Sequence, residues 1–164
     1  MSWLPENDST YGGEIDYLFY VIYYITGATF ILVTVAMIAF LIMYRRREGR
    51  RAIYSHGNTT LEIIWTVVPA IILIVLSFMS QATWAKIKSH APPSDLQVQV
   101  IAKQFNWEIV YPGPDGKFGT SDDLNLENQL HVPVGKPVHV ILKSKDVIHS
   151  FFLPNLRLKQ DTVP

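Results

Sequence analysis

The 164-residue chain contains no cysteine, so no disulfide reports the redox compartment in which it works. Lys and Arg are absent before Arg45, whereas Glu6, Asp8, Glu14 and Asp16 already stand in residues 1–16. Charge of either sign is absent from Tyr17 to Tyr44 and again from Ile63 to Ala85. Each uncharged run exceeds the ~20 residues that cross a ~30 Å hydrocarbon core. Both are too long for the apolar part of a signal peptide, and the first has no basic flank on its N-terminal side. The expectation is therefore two transmembrane helices, over residues 17–44 and 61–85, with a pair of buried core helices as the bland alternative.

What is present between the runs fixes an orientation. Arg45, Arg46, Arg47, Arg50 and Arg51 crowd the connection at residues 45–60. The positive-inside rule assigns this loop to the cytoplasm or its organellar equivalent. The tail at 1–16 and everything beyond Ala85 then lie on the outer side. An Arg run elsewhere reads as a patch for nucleic acid or acidic lipid. Wedged between two spans it reads as a topology signal, and no nucleic-acid partner is expected. Tyr17, Tyr20, Tyr23 and Tyr24 suit the outer membrane interface. Thr59-x-x-Glu62 has the spacing of a capping box at the start of the second span, and Pro69 should bend that span or free a carbonyl.

A polar, proline-stiffened linker at 86–95 leads to a change of period. Leu96 to Val100 alternates as a half-buried strand should, and Phe105 to Tyr111 alternates with aromatics at 105, 107 and 111. Val138, Val140 and Leu142 make a third run, and Val147 to Leu153 a fourth. Short strands separated by Gly/Pro turns predict a β-sandwich over 96–164. The loop Asp115 to Asp123 is acidic and Gly-rich. Oxygen-rich loops can bind Ca²⁺, but this spacing is not that of an EF-hand, and a solvated hairpin tip is the alternative. His131 and His139 sit in apolar or alternating runs and are assigned to no metal, while His56 and His90 are expected to be solvated.

Two motifs carry chemistry. The run from Lys145 to Pro164 contains Asp146, His149, Ser150, Phe151, Pro154, Leu156, Lys159, Asp161 and Pro164. It closely resembles the "DVxHSFxxPxLxxKxDxxPG" segment of cytochrome c oxidase subunit II. Leu61-Glu62, Trp65-Thr66 and Pro69 resemble the start of that family's second span. A lone histidine in an apolar strand is most often a hydrogen-bonded core residue; the resemblance instead implies that His149 is a copper ligand of a dinuclear CuA centre. Glu62 would then stand at the mouth of the proton pathway called the K-channel in subunit I. A carboxylate at the membrane edge beside a partner helix suits proton entry, because partial burial can raise its pKa. Lys103 to Trp107 resembles "GHQWYW", the patch at which cytochrome c delivers electrons, which implies donor docking at Gln104, Phe105, Trp107 and Asp146. Phe105 replaces the usual tryptophan and Asn106 a tyrosine, so a haem domain in a supercomplex serves as donor equally well. Lys159 and Asp161 match positions that face subunit I.

The resemblance implies two transmembrane α-helices in an antiparallel hairpin, followed by an all-β cupredoxin-like sandwich. It implies partnership with subunit I, with subunit III, with cytochrome c and with the lipid bilayer. Haem and CuB would belong to the partner subunit. Electrons would enter here, and oxygen would become water in subunit I, coupled to proton translocation. Two thiolates required by such a copper site are missing, so the sandwich is expected to be incomplete at the C-terminus, with the remaining ligands outside the chain. Two alternatives stand beside this reading: subunit II of a quinol oxidase lacking CuA, in which the histidine is replaced in an "NSFF" run, and a membrane-anchored β-sandwich that only binds a partner. The Arg-rich loop and the insertion at 112–123 lean towards a bacterial inner membrane rather than a mitochondrial one.

Overall fold

The computed structural model describes residues 3–51, 54, 56–88 and 92–164, and it falls into two compact units. One unit runs from Gly13 to Lys86 and holds the helices; the other combines Met1–Gly12 with Ile87–Pro164. His90 lies outside the described residues, as do parts of the 45–60 loop and of the 86–95 linker; His56 is exposed.

Helix α1 spans Gly12–Met43 and α2 spans Thr59–Lys88, and both are long and apolar enough to cross a membrane. Helix α1 begins several residues before the uncharged run because polar chemistry favours its start. The Ser9 hydroxyl accepts the amides of Tyr11 and Gly12, each at 3.1 Å, and Glu14 places negative charge in the first turn, where the helix dipole favours it. Helix α2 is capped by Asn58, whose Oδ1 accepts the Leu61 amide at 3.2 Å. Thr59 is thus the first helical residue, and the capping box expected from Thr59 and Glu62 is replaced by an Asn cap one position earlier. Lys86 Nζ meets Glu14 Oε1 at 2.8 Å, joining the end of α2 to the start of α1, so the pair runs antiparallel. Pro69 sits inside α2 and has no amide to offer the Trp65 carbonyl. Large apolar side chains along both helices are exposed, as a lipid-facing or subunit-facing surface requires.

The second unit is all-β. Strands β1 (Gln97–Lys103), β2 (Asn106–Tyr111), β3 (Leu124–Glu127) and β4 (His139–Ser144) form one sheet in the order β3-β2-β1-β4. Strands β5 (His149–Leu153) and β6 (Leu158–Thr162) form an antiparallel two-stranded ribbon. Within the sheet, β1 pairs antiparallel with β2 and parallel with β4, Val100 facing Ile109 on one side and Leu142 on the other. Sheet and ribbon make two layers. Phe151 of the ribbon packs with Val98, Val100 and Ile109 of the sheet, and Trp107, Tyr111, Val140, Leu142, Leu153 and Leu158 close around them. Gln99, which alternation assigns to solvent, is also buried, because β1 is a central strand. The fourth alternating run shortens to β5, leaving Val147 and Ile148 exposed ahead of it.

The N-terminal residues belong to this unit. The Asp8 amide donates to the Asn155 carbonyl at 3.0 Å, and an Arg157 Nη2 donates to the Pro5 carbonyl at 2.7 Å. The tail expected at 1–16 is therefore partly clipped to the turn between β5 and β6.

Candidate metal centre

His149 opens β5, and its side chain is 18% exposed. Strand parity points it to the inner side of the ribbon together with Phe151. Its ring packs edge-on against Trp107 with centroids 6.0 Å apart, and Trp107 in turn meets Phe151 at 5.6 Å. Nε2 of His149 lies 2.6 Å from Asp146 Oδ1. An ionised carboxylate only accepts hydrogen bonds, so Nε2 carries the proton and the lone pair falls on Nδ1. That tautomer is the one required for Nδ1 to bind a metal, and a carboxylate behind a ligating imidazole raises its basicity.

Asp146 is held in turn. Its Oδ2 accepts the Gln104 amide at 2.6 Å, and its Oδ1 accepts the Val147 amide at 2.7 Å. The hydrogen bond from His149 is the largest cause, and these two amides the next, that hold its carboxyl at about 2. The carboxylate is therefore charged at neutral pH. Gln104 and Phe105 form the two-residue turn between β1 and β2, so the same carboxylate ties this hairpin tip to the approach to β5.

The aromatic run divides. Trp107 and Tyr111 face the core, whereas Phe105, expected on the same face, sits in the turn and is 97% exposed. Asn128 braces Trp107 from the other edge: its Oδ1 accepts the Trp107 amide at 2.9 Å and its own amide donates to the Trp107 carbonyl at 2.8 Å. Asn128 adopts a positive φ of 57°, which Asn tolerates better than most residues. Nothing in the sequence marks this residue, because β3 is not among its alternating runs. An ion cluster beside the turn is equally unmarked. Lys145 Nζ donates to Glu108 Oε2 at 2.6 Å, and Lys103 lies 3.7 Å from Glu108 and 3.3 Å from Glu127. The Lys145 hydrogen bond, outweighing partial burial, holds the Glu108 carboxyl below its ordinary value.

The structure brings Gln104, Phe105, Trp107, Asp146 and His149 into one neighbourhood. Lys159 and Asp161 lie on β6, where they share the exposed face of the ribbon with Ser150 and Phe152. They form no ion pair with each other among the described residues; Lys159 Nζ instead lies 5.9 Å from the Phe152 ring centroid. Glu62 belongs to the helical unit, in the first turn of α2, with Oε1 3.1 Å from where a Cβ on Gly57 would stand. Gly57 has a φ of 91°, so any side chain there strains the backbone as well as crowding that carboxylate. His131 and His139 are taken up elsewhere: His139 Nε2 meets the Pro92 carbonyl at 2.8 Å, and His131 Nε2 meets Gln129 Oε1 at 3.5 Å. In the 112–123 loop, Asp115 and Asp123 accept backbone amides of their own turn.

Among the described residues, no three His, Cys, Asp or Glu side chains converge as a metal site would require. His149 fits as one ligand, by burial, tautomer and carboxylate support. One imidazole without thiolates does not complete a dinuclear copper centre.

The sequence matches "Cytochrome C oxidase subunit II, transmembrane domain" over residues 3–82 and "Cytochrome C oxidase subunit II, periplasmic domain" over residues 102–164. It is 31% identical to the alternative cytochrome c oxidase subunit 2 of Bradyrhizobium diazoefficiens, over 99% of this chain and 65% of that protein. It is 30% identical to cytochrome c oxidase subunit 2 of Thermostichus vulcanus, over 98% of this chain and 63% of that protein. A probable cytochrome c oxidase subunit 2 from Rickettsia conorii is 36% identical over 68% of this chain and 39% of its own length. The chain thus spans less than two thirds of the length of these relatives. A helical pair long enough to cross a membrane, a two-layered cupredoxin-like unit and matches to both domains of one family agree: this chain belongs to the cytochrome c oxidase subunit II family.

Proposed function

We propose that this chain acts as subunit II of a respiratory cytochrome c oxidase, accepting electrons from cytochrome c and passing them to subunit I. There oxygen is reduced to water, coupled to proton translocation. The observation that carries this is His149, seated against Trp107 with Asp146 behind Nε2. When bound, a dinuclear copper centre supplies a one-electron relay; His149 is one of its ligands, and the others are not among these 164 residues.

Each residue then has a physical task. Asp146 holds the His149 ring in one tautomer and one orientation, and by accepting the Gln104 amide it fixes the turn that presents Phe105. Gln104, Phe105 and Trp107 form the electron-entry region, Phe105 as the outer contact and Trp107 as the aromatic wall beside His149. Lys159 and Asp161 meet subunit I through the outer face of the ribbon. Glu62, exposed at the start of α2, passes protons to the pathway in subunit I. The Arg cluster supports a bacterial inner membrane, with the loop at 45–60 inside and the β unit outside. The hydrogen bonds joining residues 5 and 8 to residues 155 and 157 favour one common side for the N-terminus and the β unit.

The test is oxygen uptake by the intact complex with reduced cytochrome c and, separately, with a quinol as donor. Turnover on cytochrome c that falls at least tenfold in His149→Asn supports the proposal. Turnover on quinol alone, unaffected by that substitution, overturns it.

A further inference from the structure

The turn carrying Phe105 is surrounded by a surface whose charges cancel. Phe105 is 97% exposed, and the Gln104–Asp146 hydrogen bond sets it beside the segment that exposes Val147 and Ile148, the latter at 66%. Three apolar side chains thus stand out at one end of the β unit. Around them, among the described residues, the cations are Lys103, Lys145 and Lys143, which is level with Glu108 across Ile101, and the anions are Glu108, Glu127 and Asp146. Lys145 is paired with Glu108, Lys103 with Glu127 and Glu108, and Asp146 is occupied by His149 and two backbone amides. No net anionic field extends outward from these residues, because three cations stand beside three carboxylates.

We propose that this face docks its electron donor through apolar contact with almost no electrostatic steering. The partner it fits is a cytochrome whose docking face is itself apolar and weakly charged, not one ringed by lysines. The inference rests on the proposed electron-entry role and adds the chemistry of the partner. Charge complementarity acts mainly on encounter rate and declines with ionic strength. A neutral rim therefore gives slower encounter and little dependence on salt. Lys145 is the residue that sets this property: without it Glu108 loses its nearest cation and the rim turns acidic.

The experiment uses the intact oxidase complex and stopped-flow oxidation of two reduced cytochromes, one basic around its haem edge and one nearly neutral there. Ionic strength is varied between about 0.01 and 0.2 M, over which the screening length shortens from ~30 Å to under 10 Å. The expected result is that the near-neutral cytochrome reacts faster, with a second-order rate constant changing less than about twofold across that range. Lys145→Glu should raise the low-salt rate with the basic cytochrome about tenfold and make it strongly salt-dependent. Phe105→Ala should lower the rate with the near-neutral cytochrome by tenfold or more at every ionic strength. A wild-type complex that prefers the basic cytochrome, with a rate falling steeply as salt rises, overturns the proposal. So does a Phe105→Ala complex that keeps its full rate. Failure to oxidise either cytochrome, while a quinol sustains turnover, overturns the electron-entry role itself and this inference with it.

Discussion

Phe151 and Phe152 are identical neighbours, and strand parity gives them opposite energetic weights. Phe151 is 7% exposed and packs among Val98, Val100, Ile109 and Trp107; Phe152 is 56% exposed on the outer face of the ribbon. Truncating a buried Phe to Ala removes its transfer free energy and leaves a cavity, together about 3–5 kcal/mol. The edge contact with Trp107 is already contained in that figure. Because every ~1.4 kcal/mol is tenfold in an equilibrium constant, Phe151→Ala should multiply the opening of strands β1, β2 and β5 by about 150 to 4,000. Phe152→Ala should change it by about 0.5 kcal/mol or less, roughly a factor of two. Phe151→Leu, which keeps most of the volume, should cost less than about 1.5 kcal/mol. Hydrogen exchange read by mass spectrometry, on the full chain in detergent micelles, reports the protection of peptides covering residues 97–111 and 149–153. Equal losses for Phe151→Ala and Phe152→Ala would refute the register of β5 on β6 and the burial of Phe151 that follows from it. A larger loss for Phe152→Ala would mean that the ribbon is turned over, which would also turn His149 outward.

Three further outcomes follow from the same geometry. Asp146→Ala should leave the imidazole of His149 without its acceptor and lower copper affinity of the complex about 10- to 100-fold, read as copper retained against a chelator series. Glu62→Ala should slow steady-state turnover of the complex without unfolding it; unchanged turnover and proton uptake would leave Glu62 only its place in the first turn of α2. Glu108 should contribute a small pH dependence. Its carboxyl is held below the ordinary 4.5, so its stabilisation is present above that value and is lost as pH falls through the depressed one. The pair is partly exposed and screened, so the effect is about 1 kcal/mol at most; Glu108→Gln should be less stable by that increment near neutrality, and the difference should vanish as pH falls below the depressed value.

What could be seen in the sequence was whatever a local pattern encodes. Uncharged runs longer than a bilayer announce α1 and α2 because burying one charge in lipid is costly. Alternation announces β1, β2 and β4 because successive side chains point to opposite faces. The His149 segment stood out through its resemblance to a known family, since a lone histidine in an apolar strand carries little signal alone. Features set by distant partners were hidden. The parallel pairing of β1 with β4 joins Val100 to Leu142 across a long intervening segment. Phe105 fits the alternation of β2, yet the turn takes it, because Asp146 binds the adjacent Gln104 amide from outside the hairpin. The capping box at Thr59 is one position late, because Asn58 is an equally good cap and only geometry decides between them. The clip between Pro5, Asp8 and the turn at residues 155–157 has no sequence signature at all.

The central claim is that His149 is a ligand of a dinuclear copper centre through which this subunit receives electrons. Low-temperature electron paramagnetic resonance with copper quantification, on the intact membrane complex carrying this chain, tests it most directly. The account predicts a mixed-valence dinuclear copper signal, with copper in excess of what subunit I holds, and loss of that signal in His149→Asn. Copper only at the level of subunit I, with no such signal from the unaltered complex, would contradict it and return His149 to the role of a hydrogen-bonded core residue.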